Sequence, residues 1–381
     1  MSVKNQVTCL YVLTSSALNR GMNTGCENLV WGLAEKGVVI HILAGGNRPA
    51  THNYKIPKNV HYHFTGVSGE NPISFVPAFL EIIEKYEINV VLGWIINIAA
   101  LAATVNNREI RFIASLGQMP PRSIFLRFFK RALLGKMHIL DVFKLIFHIN
   151  NFPERSEKIV SNSNAVQSAS ISAYRLSTDK CSVIPRGIDT NIYDFCEKNR
   201  EPSRFNLLFS GNVHKPKGIG EIVSALEFIP FPITITLCGN GDKTYIEFLE
   251  NKVKSFAVNH ALVYAGALNQ EELVKYYHDC DIFVFPSYWE GMPKALLEAM
   301  SCGCPVICSD IAPHREIMQH GENGLMVPVK SPTNLANAIL KYIENPELRE
   351  SCAINARKTI EDRFKKEQEI DNWLQVLNSA S

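Results

Sequence analysis

Glu290 and Glu298 have the spacing that points most directly to chemistry in this chain. The run Ile282–Pro286 predicts a strand that leads into a loop with Glu290, and Pro293 suits the first position of the next helix because its fixed φ fits there. Glu298 would then lie just past the first turn. Two carboxylates and the N–H groups of a helix start would share one spot. Carboxylates accept hydrogen bonds from paired hydroxyls and a helix N-terminus attracts phosphate, which together suit a sugar nucleotide.

Two glycine-containing loops follow other predicted strands. Gly211-Asn-Val-His-Lys-Pro-Lys217-Gly218 lies between the run Phe205–Ser210 and a helix that begins near Ile219. Glycines let the backbone approach a ligand, and the helix start again suits a phosphate. Cys238-Gly239-Asn240-Gly241-Asp242 ends the run Ile233–Cys238, although Gly-x-Gly alone is weak evidence.

Short apolar runs alternate with helical patterns along the chain, which predicts βα units and parallel sheets. In the first half the predicted strands are Val7–Leu13, Val38–Leu43, His61–Thr65, Val90–Leu92, Arg111–Ser115, Lys158–Ser161 and Ser182–Ile184. The second half adds Leu262–Ala265 and Pro305–Cys308 to the three runs above. The polar segment 196–204 is a credible linker between two doubly wound domains, with ligands bound beyond the carboxyl ends of the strands.

The segment from Glu290 onward also resembles a known family. Glu290-x7-Glu298 followed by Ala-Met-Ser-Cys-Gly-Cys-Pro-Val-Ile is similar to the signature of the GT-B-fold, retaining glycosyltransferases of family 4 (glycosyl transferase group 1). The similarity continues through Ser309–Glu316 and His320–Pro328. It implies an α/β chain of two Rossmann-like domains facing across a cleft, an acceptor domain at 1–195 and a donor domain at 196–360. Residues 361–381 would form a helix that crosses back to the first domain.

The resemblance assigns roles around the two glutamates. Glu298 would hold the ribose hydroxyls of the donor, and Glu290 would contact hydroxyls of the donor sugar. Many relatives carry a glycine where this chain has Pro293, so one amide donor is lost. The backbone amides expected at the sugar or diphosphate are those of Gly291, Met292 and Lys294.

In the loop that starts at Gly211, relatives have an arginine and a lysine five residues apart, and both hold the diphosphate. Lys217 matches the lysine, but the arginine position is Asn212, which offers only a neutral hydrogen bond. His214 or Lys215 could supply the missing charge.

Further donor-binding positions follow from the same resemblance. Gly239 and Gly241 resemble the glycine turn beside the nucleotide, and Leu268 would pack against the base. Gly21 matches a glycine-rich loop beside the donor phosphates. Arg186 could reach a phosphate across the cleft or could solvate the crossover between domains, and both remain open.

The composition excludes several classes of protein. With 39 Lys+Arg against 37 Asp+Glu in 381 residues, the net charge of +2 excludes the cationic field of a general nucleic-acid binder. The ten cysteines are scattered, without a Cys-x-x-Cys pair, which is typical of a reduced, cytoplasmic protein. We expect neither a signal peptide in Val7–Leu13 nor a membrane span in Val90–Ala103, because both apolar runs are too short.

We predict no metal site. Asp279-Cys-Asp281 has the form used by metal-dependent transferases, but Asp281 opens its strand and so lies at the wrong end for a ligand in the cleft. Cys302, Cys304 and Cys308 lie around the start of a buried strand, without a histidine pair at zinc spacing. The charge of a leaving diphosphate would instead be neutralised by Lys217 and helix N-termini.

Residues 122–136 contain five basic residues and no acidic one, with Phe and Leu between them. This pattern favours contact with an anionic membrane surface. A solvated helix that packs on its own domain is the alternative.

Together these features predict a retaining transferase that moves a hexose from a UDP-sugar to a saccharide or lipid-linked saccharide during surface polysaccharide synthesis. UDP-glucose is the first donor to test. We expect no cofactor beyond the donor substrate. A non-catalytic, sugar-nucleotide-binding subunit is an alternative, because Asn212 replaces an arginine and Leu116-Gly-Gln118 stands where relatives often have a histidine. A sugar-nucleotide epimerase is a further alternative.

Overall fold

The structure is a computed structural model that describes residues 7–13, 24–46, 56–66, 72–105, 109–120, 129, 132–133, 138–197 and 203–379. Its contacts divide the chain into two compact units, Met1–Pro185 with Glu367–Ser381, and Arg186–Lys366. Each unit has a parallel sheet with helices, so the predicted α/β class is confirmed. Among the described residues, no helix combines the length and apolarity needed to cross a bilayer.

Within the described residues, the first unit has a seven-stranded sheet of order β3-β2-β1-β4-β5-β6-β7. Leu10 and Val12 of the first strand face one apolar cluster, while Cys9 and Tyr11 face another, as the alternation of a strand requires. The strands are β1 (Thr8–Leu13), β2 (Val39–Ala44), β3 (Val60–Phe64), β4 (Val90–Trp94), β5 (Arg111–Leu116), β6 (Lys158–Ser161) and β7 (Cys181–Val183). The helices are α1 (Thr24–Glu35), α2 (Val76–Lys85), α3 (Ile95–Ala102), α4 (Ile139–Arg155) and α5 (Asn164–Tyr174).

The described residues of the second unit form a six-stranded sheet of order β10-β9-β8-β11-β12-β13. Its strands are β8 (Phe205–Ser210), β9 (Ile233–Cys238), β10 (Ala261–Gly266), β11 (Ile282–Phe285), β12 (Val306–Ser309) and β13 (Leu325–Val327). Its helices are α6 (Ile219–Ala225), α7 (Lys243–Lys254), α8 (Gln270–Asp279), α9 (Lys294–Ser301), α10 (Ala312–Arg315), α11 (Pro332–Glu344) and α12 (Pro346–Arg363). The sequence analysis located five of these strands and missed β13, which has only three residues.

The last helix, α13 (Lys366–Asn378), packs against the first unit. Its buried side chains Ile370, Trp373 and Leu377 join the cluster that contains the first unit's β1 and β2 residues. Gly32 of α1 permits the close approach, since a Cβ there would lie 2.1 Å from Cδ1 of Ile370. Lys36 and Asp371 add an ion pair of 2.9 Å.

Residues 186–195, which the sequence analysis placed with the first domain, pack in the second unit. The side chain of Tyr193 is 2% exposed in that unit's core. The N–H of Ile188 donates to the carbonyl of Phe364 at 2.8 Å.

Candidate functional site

Lys217 and Glu290 meet at the carboxyl end of the second unit's sheet. Lys217 ends a single 3₁₀ turn after β8, and Glu290 lies in the loop after β11. Because β8 and β11 are parallel neighbours, both loops leave the same edge. The Nζ atom of Lys217 lies 2.5 Å from Oε1 of Glu290, and the side chains are 21% and 11% exposed. A pair so largely buried places a fixed positive and a fixed negative charge at the predicted ligand position.

Close backbone packing holds the Lys217 turn against the end of β11. Gly218 has a φ of +72°, and a Cβ at that position would lie 2.1 Å from the carbonyl oxygen of Pro286. The N–H of Tyr288 also donates to the carbonyl of Pro216 at 3.0 Å. Only glycine fits at 218, and its absence of a side chain is what brings Lys217 next to Glu290.

Helix α9 carries Glu298 as its fifth residue. Our prediction that Pro293 takes the first helical position is wrong by one residue. Pro293 is the N-cap, with a ψ of 113°, and the helix begins at Lys294. The extended conformation lets the chain turn from the Glu290 loop into the helix, and Pro293 itself has no N–H to satisfy. Glu298 is only 5% exposed.

The buried carboxylate of Glu298 has a partner on each oxygen. Tyr277 of α8 donates its hydroxyl hydrogen to Oε2 at 3.0 Å, which is nearer than its other acceptor, the Ala295 carbonyl at 3.4 Å. Ser210, at the end of β8, lies 2.6 Å from the same hydroxyl and acts as the donor to it, since a phenol has one hydrogen. Nζ of Lys294 lies 3.2 Å from Oε1. These contacts fix the orientation of Glu298 before any ligand binds.

Two tyrosines near Glu298 stay protonated. Burial, followed by the negative charge of Glu298, raises the pKa of Tyr277 well above its ordinary value. The same two causes raise the pKa of Tyr193, whose ring lies 5.9 Å from Nζ of Lys294. The sequence analysis singled out neither tyrosine, because a tyrosine inside a helix or a short turn looks like an ordinary core residue.

The glycine turns bring the ends of β8, β9 and β10 into direct backbone contact. Gly239 has a φ of +132°, and a Cβ there would lie 2.0 Å from the carbonyl oxygen of Gly211. The N–H of Gly239 donates to Gly266 at 2.6 Å, and that of Gly211 donates to Cys238 at 2.9 Å. Gly241 is less tightly confined, since a Cβ there would lie 2.8 Å from Cβ of Val213.

Two other predicted residues of the second unit, Arg186 and Met292, contact each other. Gly291 is buried and Met292 is 5% exposed. The N–H of Arg186 donates to the sulfur of Met292 at 3.2 Å, while the buried Nε of Arg186 has no hydrogen-bond partner among the described residues. Leu268 is half-buried against the core after β10. Gly21 and almost all of the basic segment 122–136 lie outside the described residues.

Asn212 and the two residues that could replace its missing charge, His214 and Lys215, are exposed. Nδ1 of His214 lies 2.8 Å from the carbonyl oxygen of Asn212. This contact fixes the His214 ring beside the backbone of Asn212.

The Asp-x-Asp motif has a structural role at its second carboxylate. Asp281 is 5% exposed and accepts the N–H of Asn206 at 2.7 Å, at the opposite end of β11 from Glu290. The side chains of Cys302, Cys304 and Cys308 are fully buried.

His314 is a buried residue near the pair that the sequence analysis did not single out. It lies in α10, is 0% exposed, and its ring is 5.8 Å from that of Phe285. Nδ1 lies 2.7 Å from the Ser309 carbonyl, while Nε2 has no hydrogen-bond partner within the described part of the chain. Burial lowers the pKa of His314 to about 4, so the ring is neutral and donates through Nδ1. The signal available was its position in the family-like segment Ser309–Glu316.

Two family models together cover most of the chain. The model described as Glycosyl transferases group 1 matches residues 194–359, and the model described as Glycosyltransferase Family 4 matches residues 19–192. The chain belongs to the family 4, group 1 glycosyltransferases. The chain is 27% identical over 220 residues to an uncharacterized glycosyltransferase of Methanocaldococcus jannaschii. The match covers 54% of this chain and 56% of the relative, so the chain spans a little over half of that protein's length.

Solved structures share the fold over nearly the whole chain. HepE of Anabaena, solved with UDP and glucose, has a TM-score of 0.76 at 18% identity and covers 98% of this chain and 100% of its own. Sucrose-phosphate synthase of Thermosynechococcus elongatus has a TM-score of 0.78 at 19% identity, with 97% and 98% covered. The predicted GT-B fold class is therefore confirmed.

Proposed function

We propose that this chain is a retaining glycosyltransferase that moves a hexose from a UDP-sugar to a saccharide or lipid-linked saccharide. The observation that carries the proposal is the meeting of Lys217 and Glu290 at the sheet end of a group 1 domain. UDP-glucose is the first donor to test, and its choice is supported by HepE, a relative in fold that has been solved with UDP and with UDP-glucose. Surface polysaccharide synthesis, at the cytoplasmic side of a membrane, is the proposed setting.

In the proposed donor complex, each charged group has a separate partner. Glu298 accepts from the ribose hydroxyls, and Glu290 accepts from hydroxyls of the sugar. An ammonium has three hydrogens, so Lys217 can keep its bond to Glu290 and still donate to the diphosphate. The other proposed contacts to the sugar nucleotide come from the Gly211–Asn212 turn, the Gly239–Gly241 turn, Leu268, Arg186, Gly21 and the amides of Gly291, Met292 and Lys294.

The proposed reaction exchanges one bond at the anomeric carbon. The acceptor hydroxyl oxygen bonds to that carbon on the face from which the diphosphate leaves, and the carbon–oxygen bond to the diphosphate breaks. The acceptor proton passes to the departing phosphate oxygen. No side-chain base is needed, which agrees with Leu116-Gly-Gln118 in place of the relatives' histidine. Lys217 and backbone amides stabilise the departing charge, so the proposal includes neither metal nor cofactor.

A non-catalytic sugar-nucleotide-binding subunit is the second candidate. The exposed Asn212, in the position of a diphosphate-binding arginine, favours it because a neutral amide stabilises a departing diphosphate less than a guanidinium does. Such a subunit would keep the ribose site around Glu298 and release no UDP.

A thermal-shift panel of nucleotide sugars tests donor binding. A ligand that binds only the native state raises the apparent stability, by about 2.7 kcal/mol at 100 times its Kd. We expect stabilisation by UDP and UDP-glucose and a smaller effect of ADP- and GDP-sugars. Equal shifts for all bases would remove the uridine assignment, and no shift with any of them would contradict the donor site.

A further inference from the structure

The two carboxylates of the proposed donor site each form an ion pair with a lysine. Nζ of Lys217 lies 2.5 Å from Oε1 of Glu290, and Nζ of Lys294 lies 3.2 Å from Oε1 of Glu298. Both pairs are largely buried, because the lysine side chains are 21% and 19% exposed and the glutamate side chains 11% and 7%. The side chain of Lys294 therefore occupies, beside Glu298, the same kind of position that Lys217 occupies beside Glu290.

Helix stability alone does not account for a largely buried lysine in this position. Lys243 and Glu247 have the same spacing of four residues at the start of α7, but their side chains are 90% and 55% exposed and their charged atoms lie 3.7 Å apart. Such a pair adds little stability, and moving one out of water costs hydration that its own attraction only partly offsets. Glu298 also accepts from Tyr277. The burial of Lys294 therefore favours a site in which its ammonium meets a further anion.

A sugar nucleotide would place that anion between the two lysines. In the proposed donor complex Glu298 binds the ribose and Glu290 binds the sugar, so the diphosphate that joins them lies between the two carboxylates. Lys217 reaches the diphosphate from the sugar end. Lys294 stands at the ribose end, and its flexible stem and three ammonium hydrogens let it stay bonded to Glu298 and also donate to a phosphate oxygen. Its charge would offset the repulsion between the phosphate and the Glu298 carboxylate.

We propose that the ammonium of Lys294 binds the phosphate next to the ribose, while Lys217 binds the phosphate next to the sugar. The side chain of Lys294 is then a second cation of the donor site, in addition to the backbone amide proposed at the same residue. This role rests on the proposed function, because it requires a nucleoside diphosphate held by Glu298. It applies to the transferase and to the binding subunit alike, since both hold the nucleotide there.

Titrations of the full chain with uridine, UMP and UDP test the proposal. The variant Lys294→Gln removes the charge but keeps an amide that can donate to Glu298. We expect its affinity for UMP and for UDP to fall about tenfold, as for loss of a hydrogen bond to a charged group, while its affinity for uridine stays within about twofold. Lys294→Arg keeps a cation and should stay within about threefold of the wild type for all three ligands. Displacement of bound UMP measures the affinity of the weaker ligand, uridine.

Lys243→Gln is the matched control, because it removes the lysine of the exposed pair with the same spacing, and it should bind all three ligands as the wild type does. Three results for Lys294→Gln would overturn the proposal. They are unchanged affinity for UMP and UDP, a loss for UDP alone, which would place the ammonium at the outer phosphate, and an equal loss for all three ligands, which would mean that Lys294 only orients Glu298. A wild type that binds none of the ligands would contradict the proposed function itself, and this role of Lys294 with it.

Discussion

Tyr277 donates its hydroxyl hydrogen to Glu298 at 3.0 Å, inside the core of the second unit. Tyr277→Phe leaves one oxygen of a buried carboxylate without this donor, which costs about 1–3 kcal/mol. Part of that cost should appear as weaker nucleotide binding, and we expect the Kd for UDP to rise about tenfold. Titration calorimetry with UDP measures it. Tyr276→Phe, one residue earlier in α8, is the matched control. An unchanged UDP affinity in Tyr277→Phe would mean that Glu298 does not need its donor to bind the nucleotide.

Gly239 and Gly266 both have positive φ but differ in what surrounds them. A Cβ at 239 would lie 2.0 Å from a carbonyl oxygen, whereas one at 266 has no atom within 4 Å. Gly266→Ala should therefore lower the free energy of unfolding by only about 1 kcal/mol, which is the cost of placing alanine in a left-handed conformation. Gly239→Ala should lower the free energy of unfolding by more than about 2 kcal/mol, because the backbone of the adjacent turn must also move. Urea unfolding compares the two free energies, and equal losses would show that the turns are not packed as described.

His314 should make stability depend on pH. Burial lowers its folded pKa to about 4, from an unfolded value of about 6.5. Between these pH values the unfolded state binds a proton that the folded state does not. The contribution of neutral His314 to the free energy of unfolding is therefore complete above pH 6.5 and is lost as the pH falls to 4. The loss amounts to about 3 kcal/mol.

From pH 8 to pH 4, the free energy of unfolding should therefore fall more steeply in the wild type than in His314→Gln. The exposed His214→Gln should keep the wild-type slope. His41 is also shifted to a pKa of about 4 by burial, so some slope should remain in every variant. If the free energy of unfolding depended on pH in the same way in the wild type and in His314→Gln, the neutral, buried state of this ring would be contradicted.

Transfer without a metal is a further expectation. If Lys217 and backbone amides stabilise the departing diphosphate, EDTA should leave the rate of UDP release within about twofold of its original value. Magnesium should not rescue Lys217→Met. A strict requirement for a divalent cation, measured after removal of EDTA by dialysis, would remove this part of the mechanism.

The sequence predicts the strands that carry the site better than it predicts the contacts within it. Strand ends such as Ser210 and Cys238 follow from apolar runs and the glycines after them, and Glu290 with Glu298 follows from the family pattern. The pairing of Lys217 with Glu290 joins residues 73 positions apart and depends on β8 lying beside β11, which local patterns do not specify.

Residues that act from the core are the hardest to foresee. Tyr277 occupies a position that any large core residue would suit, and its role appears only when Glu298 is seen beside it. The exposed apolar side chains of α4 were overlooked for a similar reason. A helix with apolar residues on two sides looks fully buried in sequence, until Leu140 and Phe147 are found exposed.

Release of UDP from UDP-glucose by the wild type, Glu290→Gln and Lys217→Met is the most direct test of the whole account. We expect measurable release by the wild type that increases with a saccharide acceptor, and at least about a hundredfold loss in each variant, as for removal of a group that stabilises developing charge. Glu290→Gln should keep UDP binding through Glu298, whereas Lys217→Met should bind UDP more weakly because it loses a donor to the diphosphate. Tight binding of UDP-glucose by the wild type with no release over long incubation would contradict the account and favour the binding subunit.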